Sequence, residues 1–317
     1  MCESGKSMYH RRILKEYKLN RQSDAPSRDI DKVFVSVLHS SKKILEIITN
    51  CIPNVYFFHG KYCEYDYIPY YLMKEVGFTN ERYGNILLSS DRDHYQNILS
   101  FDNFVQLDKI SVKNCKFTSD STPLLGRHNV LKRFFKSNDT PEGIEEHFNI
   151  LRAIIGDGGD NITGCHGYGP KKATKLLINL IDKNIIKPMS DIYRIIESFT
   201  SEESIFNPVG QLKSKDKDEN MIIKFIQNND KKLKIPHEEI IIKNLKLMDY
   251  KIISECNKQN ETKYINKILS IDKINSYKDF FLTIQDSKCL LPNDLTSVMW
   301  NILYDVYNVS SRNKIEV

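Results

Sequence analysis

Apolar residues at Ile30, Val33, Phe34, Val37, Leu38, Ile44, Leu45 and Ile48 recur at helical spacing, so 28–50 predicts an amphipathic helix with Ser27 as its N-cap. The run V-Y-F-F within 54–58 combines β-branched and aromatic residues and predicts a short strand. A helix over 66–76 and a buried strand over 85–88 follow. Alternation of this kind predicts a parallel sheet with helices on its faces, and functional groups in such sheets gather beyond the carboxyl ends of the strands. Two acidic pairs fall there: Glu64 and Asp66 after the first strand, Asp91 and Asp93 after the second. Farther on, 104–117 predicts a pair of short antiparallel strands and 142–155 a helix. Beyond about Lys183 the pattern is mostly helical, with a polar interruption at 210–219 that reads as a loop. The lysine- and asparagine-rich stretches 228–234 and 257–263 read as solvated surface, and no internal repeat occurs.

Composition narrows the picture. A chain of 317 residues can bury a full core and predicts one α/β domain with a helical extension. No run of about eighteen apolar residues occurs, which excludes a spanning helix, and the N-terminal residues show no apolar signal region, so a cytoplasmic protein is expected. Seven cysteines with no C-x-x-C pair argue against a disulfide framework and a structural zinc site. The net charge of +5 is only mildly basic, but its distribution is uneven: 1–21 carries six basic residues against two acids, with Tyr9 and Tyr17 among them. Bases interleaved with aromatics suit a nucleic-acid groove; a solvated basic helix face is the plainer alternative.

The densest chemistry lies in 156–177, G-D-G-G-D-N-I-T-G-C-H-G-Y-G-P-K-K-A-T-K-L-L. Six of the thirteen glycines fall between Gly156 and Gly169. Asp157 and Asp160 precede a turn carrying Gly164, Gly167 and Gly169, and Lys171, Lys172 and Lys175 follow it. Closely spaced glycines let a backbone approach a ligand. A helix starting near Pro170 would aim its unpaired N–H groups at an anion, with the lysines adding positive charge. Carboxylates beside a phosphate grip suggest hard divalent metals held where a phosphodiester arrives.

This segment resembles the helix-three-turn-helix of the flap endonuclease and 5′-3′ exonuclease family, which carries a G-D-x-x-D-N-x-x-G-x-x-G-x-G-x-K/R pattern; small phage-encoded members are the most similar branch. Cys63-Glu64-Tyr65-Asp66-Tyr67 stands where the family has E-A-D-D, with Tyr67 replacing the last acid, and Ser89-Ser90-Asp91-Arg92-Asp93 resembles its S-x-D-x-D motif. The resemblance implies an α/β fold with a PIN-like parallel sheet flanked by helices, its first strand missing. The nuclease domain with its arch segment would span 1–140, and the helix-three-turn-helix with a helical C-terminal extension 141–317. It implies that Glu64, Asp66, Asp91, Asp93, Asp157 and Asp160 hold two Mg²⁺ or Mn²⁺ ions, with Glu3 where the family usually has a strand-end aspartate. Lys18 and Arg21 match the Y-K-x-N-R signature whose basic residues contact the scissile phosphate. Gly164, Gly167, Gly169, Lys171 and Lys172 would grip DNA, with K⁺ as a further ion at the helix-three-turn-helix.

The implied activity is a 5′ nuclease acting on branched or 5′-ended DNA, with RNA–DNA hybrids as further substrates, in the host cytoplasm for a phage-encoded enzyme. The family's first strand, V-D-G-x-N, has no match in this sequence, so the chain is expected to be a fragment, a truncated product or half of a split enzyme completed by a separate N-terminal chain. A catalytically impaired DNA-binding subunit is the alternative from another class, and a PIN-type ribonuclease leaves the glycine-lysine segment unexplained.

Overall fold

The computed structural model describes residues 8–19, 65–75, 85–107, 112–113, 116–117, 124–135, 144–198, 203–210, 212 and 215–269. Apart from 258–269, these belong to one structural unit, and that unit carries the site. The predicted helix at 28–50 and strand at 54–58 lie outside the described residues.

The apolar run Asn85–Leu88 forms strand β1, but not the buried strand expected, since Ile86 and Leu88 are exposed and the strand packs through its other face; Phe104–Leu107 forms β2. The two pair in parallel, Asn85 opposite Phe104 and Leu88 opposite Leu107. Here the structure corrects the sequence expectation of a hairpin over 104–117. The antiparallel pairing belongs to two separate two-residue strands, β3 (Val112–Lys113) and β4 (Lys116–Phe117). The apolar content of β2 instead serves a crossover: helix α3 (Tyr95–Ser100) lies between β1 and β2 in sequence and packs Ile98 and Leu99 onto Phe104. A short β5 (Leu124–Leu125) adds to β2 antiparallel. Before the sheet come helix α1 (Met8–Ile13) and, after a 3₁₀ turn at Tyr65–Tyr67, helix α2 (Ile68–Glu75).

After α4 (Arg127–Phe135) the chain builds the largest core among the described residues. Helix α5 (Phe148–Ile155) is predicted from 142 but begins only at Phe148, following a turn. Its Ile150, Leu151, Ala153 and Ile154 are fully buried against α6 (Pro170–Asp182) and α9 (His237–Met248). Helices α7 (Met189–Glu197), α8 (Lys217–Gln227) and α10 (Tyr250–Leu269) complete the succession. The polar stretch at 210–219 is not wholly loop: Asp216 accepts hydrogen bonds from the amides of Asp218 and Glu219 and starts α8 as its N-cap.

Buried polar groups tie this core together. The Asn244 side chain donates to the carbonyls of Ala153 (2.8 Å) and Thr163 (3.0 Å), joining α9 to the end of α5 and the strand after it. Asp230, fully buried at the turn between α8 and α9, accepts from the amides of Lys232 and Leu233 through Oδ1, both at 2.8 Å, and from the His166 amide at 2.6 Å through Oδ2. Burial alone would raise its pKa; the three backbone donors and nearby His237 outweigh that and hold it below the ordinary carboxylate range.

A carboxylate depressed in the folded state contributes stability that is present above its unfolded pKa of about 3.9 and lost as pH falls through the folded value. We therefore expect Asp230→Asn to lower stability by about 1–3 kcal/mol at pH 7. The gap to the parent should close as pH falls below about 4, measured by urea denaturation at pH 7 and at pH 3. A constant gap would show that Asp230 contributes by shape and not by charge.

Candidate functional site

Helix α5 is broken at Gly156, which takes φ +75 and donates its amide to the Arg152 carbonyl. Two short strands then pair antiparallel, β6 (Gly156–Asp157) and β7 (Ile162–Thr163), around a 3₁₀ turn at Gly158–Asp160. Asp157 caps this turn by accepting from the Gly159 amide at 2.8 Å. In 3₁₀ geometry positions three apart eclipse, so the spacing of Asp157 and Asp160 puts both carboxylates on one side. Asn161 in the left-handed region, φ +61, turns the chain back into β7.

Asp93 arrives from the sheet. Beyond the carboxyl end of β1, Asp91 accepts from the Asp93 amide at 2.9 Å and so caps a 3₁₀ turn at Arg92–His94. The Gln106 side chain holds the approach by donating to the carbonyls of Ser89 (2.6 Å) and Asp91 (2.9 Å). Gln96 donates to the Asp93 carbonyl (3.0 Å) and the Met248 carbonyl (3.1 Å), while its own oxygen accepts from the Tyr250 amide at 2.8 Å. The loop bearing Asp93 is thus clamped to the junction of α9 and α10.

The result is a cluster in which one carboxylate oxygen each from Asp93, Asp157 and Asp160 lies within 4.8 Å of the others. Two like charges at that distance repel by about 3 kcal/mol at an effective dielectric of about 20. Burial, and then the charges of Asp91, Asp157 and Asp160, push Asp93 up to about 6, although Arg152 opposes the shift. Arg152 projects from the buried face of α5 and pairs with Asp93. Lys18 lies 3.4 Å from Asp160, and the Tyr17 hydroxyl donates to the same oxygen at 3.2 Å. The α1 segment is itself fixed: His10 stacks on Tyr17 and contacts the Leu247 carbonyl through Nε2 at 3.1 Å, and the Lys18 amide donates to the Asp160 carbonyl at 3.1 Å.

The three aspartates open onto a cavity of about 20 Å³, which Asp66, Tyr67, Tyr17 and Tyr250 also line. That is room for a single water-sized occupant. The Tyr250 hydroxyl is buried with no hydrogen-bond partner among the described residues. An oxygen donor set whose negative charge Arg152 and Lys18 offset only in part fits a hard divalent cation. Of the sequence-derived ligands, Asp93, Asp157 and Asp160 are brought together, Asp66 joins them in the lining, and Asp91 stands beside them as a capping residue. Glu3, Glu64 and Arg21 lie outside the described residues.

The glycine segment continues directly from this cluster. Gly164 crosses the end of α5 so closely that a Cβ there would collide with the Ile155 carbonyl. Gly167 takes φ +80 at an exposed turn, and Gly169 is the N-cap of α6, with Pro170 next and no capping side chain. Lys171 and Lys172 are exposed in the first turn of α6, the latter's ammonium 4.0 Å from the Tyr168 ring centroid. This is an anion-binding arrangement: first-turn amides, a helix dipole and two lysines.

Arg152 and Gln96 reach the cluster although the sequence reading passes over them, and Tyr17, read there as an aromatic among the bases of 1–21, bonds Asp160. Arg152 had a visible signal, being a lone charge in the apolar run of α5; Gln96 had none, because the partners at Met248 and Tyr250 that it joins to the Asp93 loop lie about 150 positions away.

No family model and no curated protein matches the sequence. Solved structures do match the fold. A bacteriophage T5 protein co-crystallised with metal ions is similar at TM-score 0.53 and 21% identity, with 85% of this chain and 84% of that one covered. The bacteriophage T5 flap endonuclease in a pseudo-enzyme-product complex with DNA and metal ions gives 0.53 at 20% identity, covering 84% and 80%. The T5 5′-exonuclease with zinc bound gives 0.52 at 21% identity, covering 84% and 81%. The chain therefore has the PIN-like α/β fold of the flap endonucleases.

Proposed function

We propose that this protein is a metal-dependent, structure-specific 5′ nuclease that hydrolyses phosphodiesters in branched or 5′-ended DNA. The observation that carries the proposal is the joining of two sites on one short segment: Asp157 and Asp160 complete a three-carboxylate cluster with Asp93, and the same segment runs on into the anion-binding start of α6. Fold likeness to a T5 flap endonuclease solved with DNA and metal ions supports it.

Asp93, Asp157 and Asp160, with Asp66 at the cavity wall, would hold the metal; Asp91, Glu64 and Glu3 are further candidate ligands. Bound Mg²⁺ or Mn²⁺ would supply a nucleophilic water at neutral pH and neutralise charge on the leaving oxygen; the cavity has room for one such ion, and the second of the two on this proposal would lie outside it. The protein's own groups do the positioning. Arg152 and Lys18 share out the negative charge of the cluster, and Lys18, at the rim beside Asp160, can turn to a phosphate. Arg21 would act with it. Gly167, Gly169, Lys171 and Lys172 would hold the duplex through its backbone, with a K⁺ ion at the same turn, and RNA–DNA hybrids present the same phosphates. Gly164 contributes by allowing the turn to close on α5.

A second reading rests on Tyr67, which occupies the place of an acid in the cavity wall: the chain binds duplex and does no chemistry until a separate chain completes the site. Cleavage of a 5′-flap duplex with and without Mg²⁺ separates the two. The parent should cleave only with metal, and Asp157→Asn/Asp160→Asn should lose at least ~100-fold in rate, the scale of removing transition-state stabilisation. Its metal-free affinity for duplex should equal or exceed the parent's, since two negative charges are gone. Duplex binding by the parent without any metal-dependent cleavage would favour the second reading. Lys171→Ala/Lys172→Ala tests the grip: we expect weaker duplex binding and a salt dependence shallower by about two phosphate contacts, read by fluorescence anisotropy across KCl concentrations.

A further inference from the structure

The turn between α8 and α9 reads as solvated surface in the sequence, yet its structure gives it more definition than solvation needs. Lys231, Lys232, Leu233 and Lys234 are all exposed, and none of the three lysines makes an ion pair with a described residue. The tip is nevertheless fixed by its own hydrogen bonds. The Asp230 amide donates to the Ile235 carbonyl at 2.7 Å, the Lys234 amide to the Asp230 carbonyl at 2.9 Å, and Lys234 is held in the left-handed region at φ +61. Lysine is an unfavoured residue there, so the surroundings and not intrinsic preference impose that geometry.

The decisive contact is made by the Asp230 carboxylate. One oxygen accepts from two amides of the lysine turn, and the other accepts from the His166 amide in the middle of the glycine turn. The two turns are therefore built on a single buried side chain. Aromatic packing repeats the link: Tyr168, whose ring carries the Lys172 ammonium, packs edge-on against His237, the first residue of α9 after the lysine turn. Because Asp230 is consumed by backbone donors and buried, it does not neutralise the lysines at the surface.

We infer that the turn at 231–234 is a second wall of the duplex-binding surface, contacting the phosphate backbone and held in register with the glycine turn by Asp230. This rests on the proposed reading that duplex sits on the start of α6. The chemistry matches a polyanion of regular charge spacing: unpaired ammonium groups on a rigid tip neutralise phosphates with little ordering cost and carry no base readout.

The test is anisotropy of the full chain with a blunt DNA duplex across KCl concentrations, with Lys231→Ala/Lys232→Ala beside Lys171→Ala/Lys172→Ala. Lys231→Ala/Lys232→Ala should weaken binding on the order of tenfold at ~0.1 M salt and make the salt slope shallower by about two. Its thermal midpoint should stay at the parent's value, since both side chains are exposed. Parent-like affinity and slope for this variant, while Lys171→Ala/Lys172→Ala weakens binding, would overturn the second wall and leave the α6 grip standing. Parent-like behaviour of both variants would overturn the grip itself, and the second wall with it.

Discussion

Mutual repulsion among three carboxylates is the constraint that organises this molecule. Asp93, Asp157 and Asp160 would separate if the backbone let them, and burial makes their proximity more costly. The fold answers with short-range geometry and with countercharge. Two of the acids sit on one 3₁₀ turn that the β6–β7 pair pins to the end of α5, and the third is fixed by Gln106 on one side and Gln96 on the other. Arg152 and Lys18 then supply positive charge from opposite directions, one from the core and one from the rim. What this leaves is a small, oxygen-lined space suited to a hard cation, held by hydrogen bonds from Gln96 and Gln106 to backbone carbonyls that spare the three carboxylates.

The same economy explains how far the sequence could be read. The glycine segment was legible because its backbone geometry is local: the Asp157 cap, the turn at Gly167 and the Gly169-Pro170 start of α6 are each set within a few residues. Asp91 and Asp93 were legible because a strand ending in acids is a one-dimensional signal. The pairing of β2 was not, since nothing within 104–117 shows whether its partner is its neighbour or β1, and the burial of α3 between them decides it. Gln96, Asn244 and Asp230 were illegible for a stronger reason. Each is an ordinary polar residue in an ordinary position, and what it ties together depends on backbone groups brought near from distant sequence, such as Met248 for Gln96 and His166 for Asp230. The solvated reading of 228–234 holds for the exposed Lys231, Lys232 and Lys234, but composition shows the charge of a turn and not what holds it still.

On the proposed reading, placing the carboxylates and the phosphate grip on one segment has a geometric consequence. Asp160 and Pro170 are ten positions apart, which bounds their separation at roughly 33–36 Å even for a fully extended chain, and the folded path is shorter because it reverses at Asn161 and again at Gly167. One turn of B-form duplex spans about 34–36 Å. A phosphate held at the start of α6 and a phosphate at the carboxylates must then lie within about one helical turn of each other, whatever the rest of the substrate does. Gly156 and Gly164 keep that distance constant by locking the segment against α5, where a side chain at either position would meet backbone. On the proposed reading, the choice of which phosphodiester is cut is set by this rigid span between grip and acids, and not by recognition of base sequence.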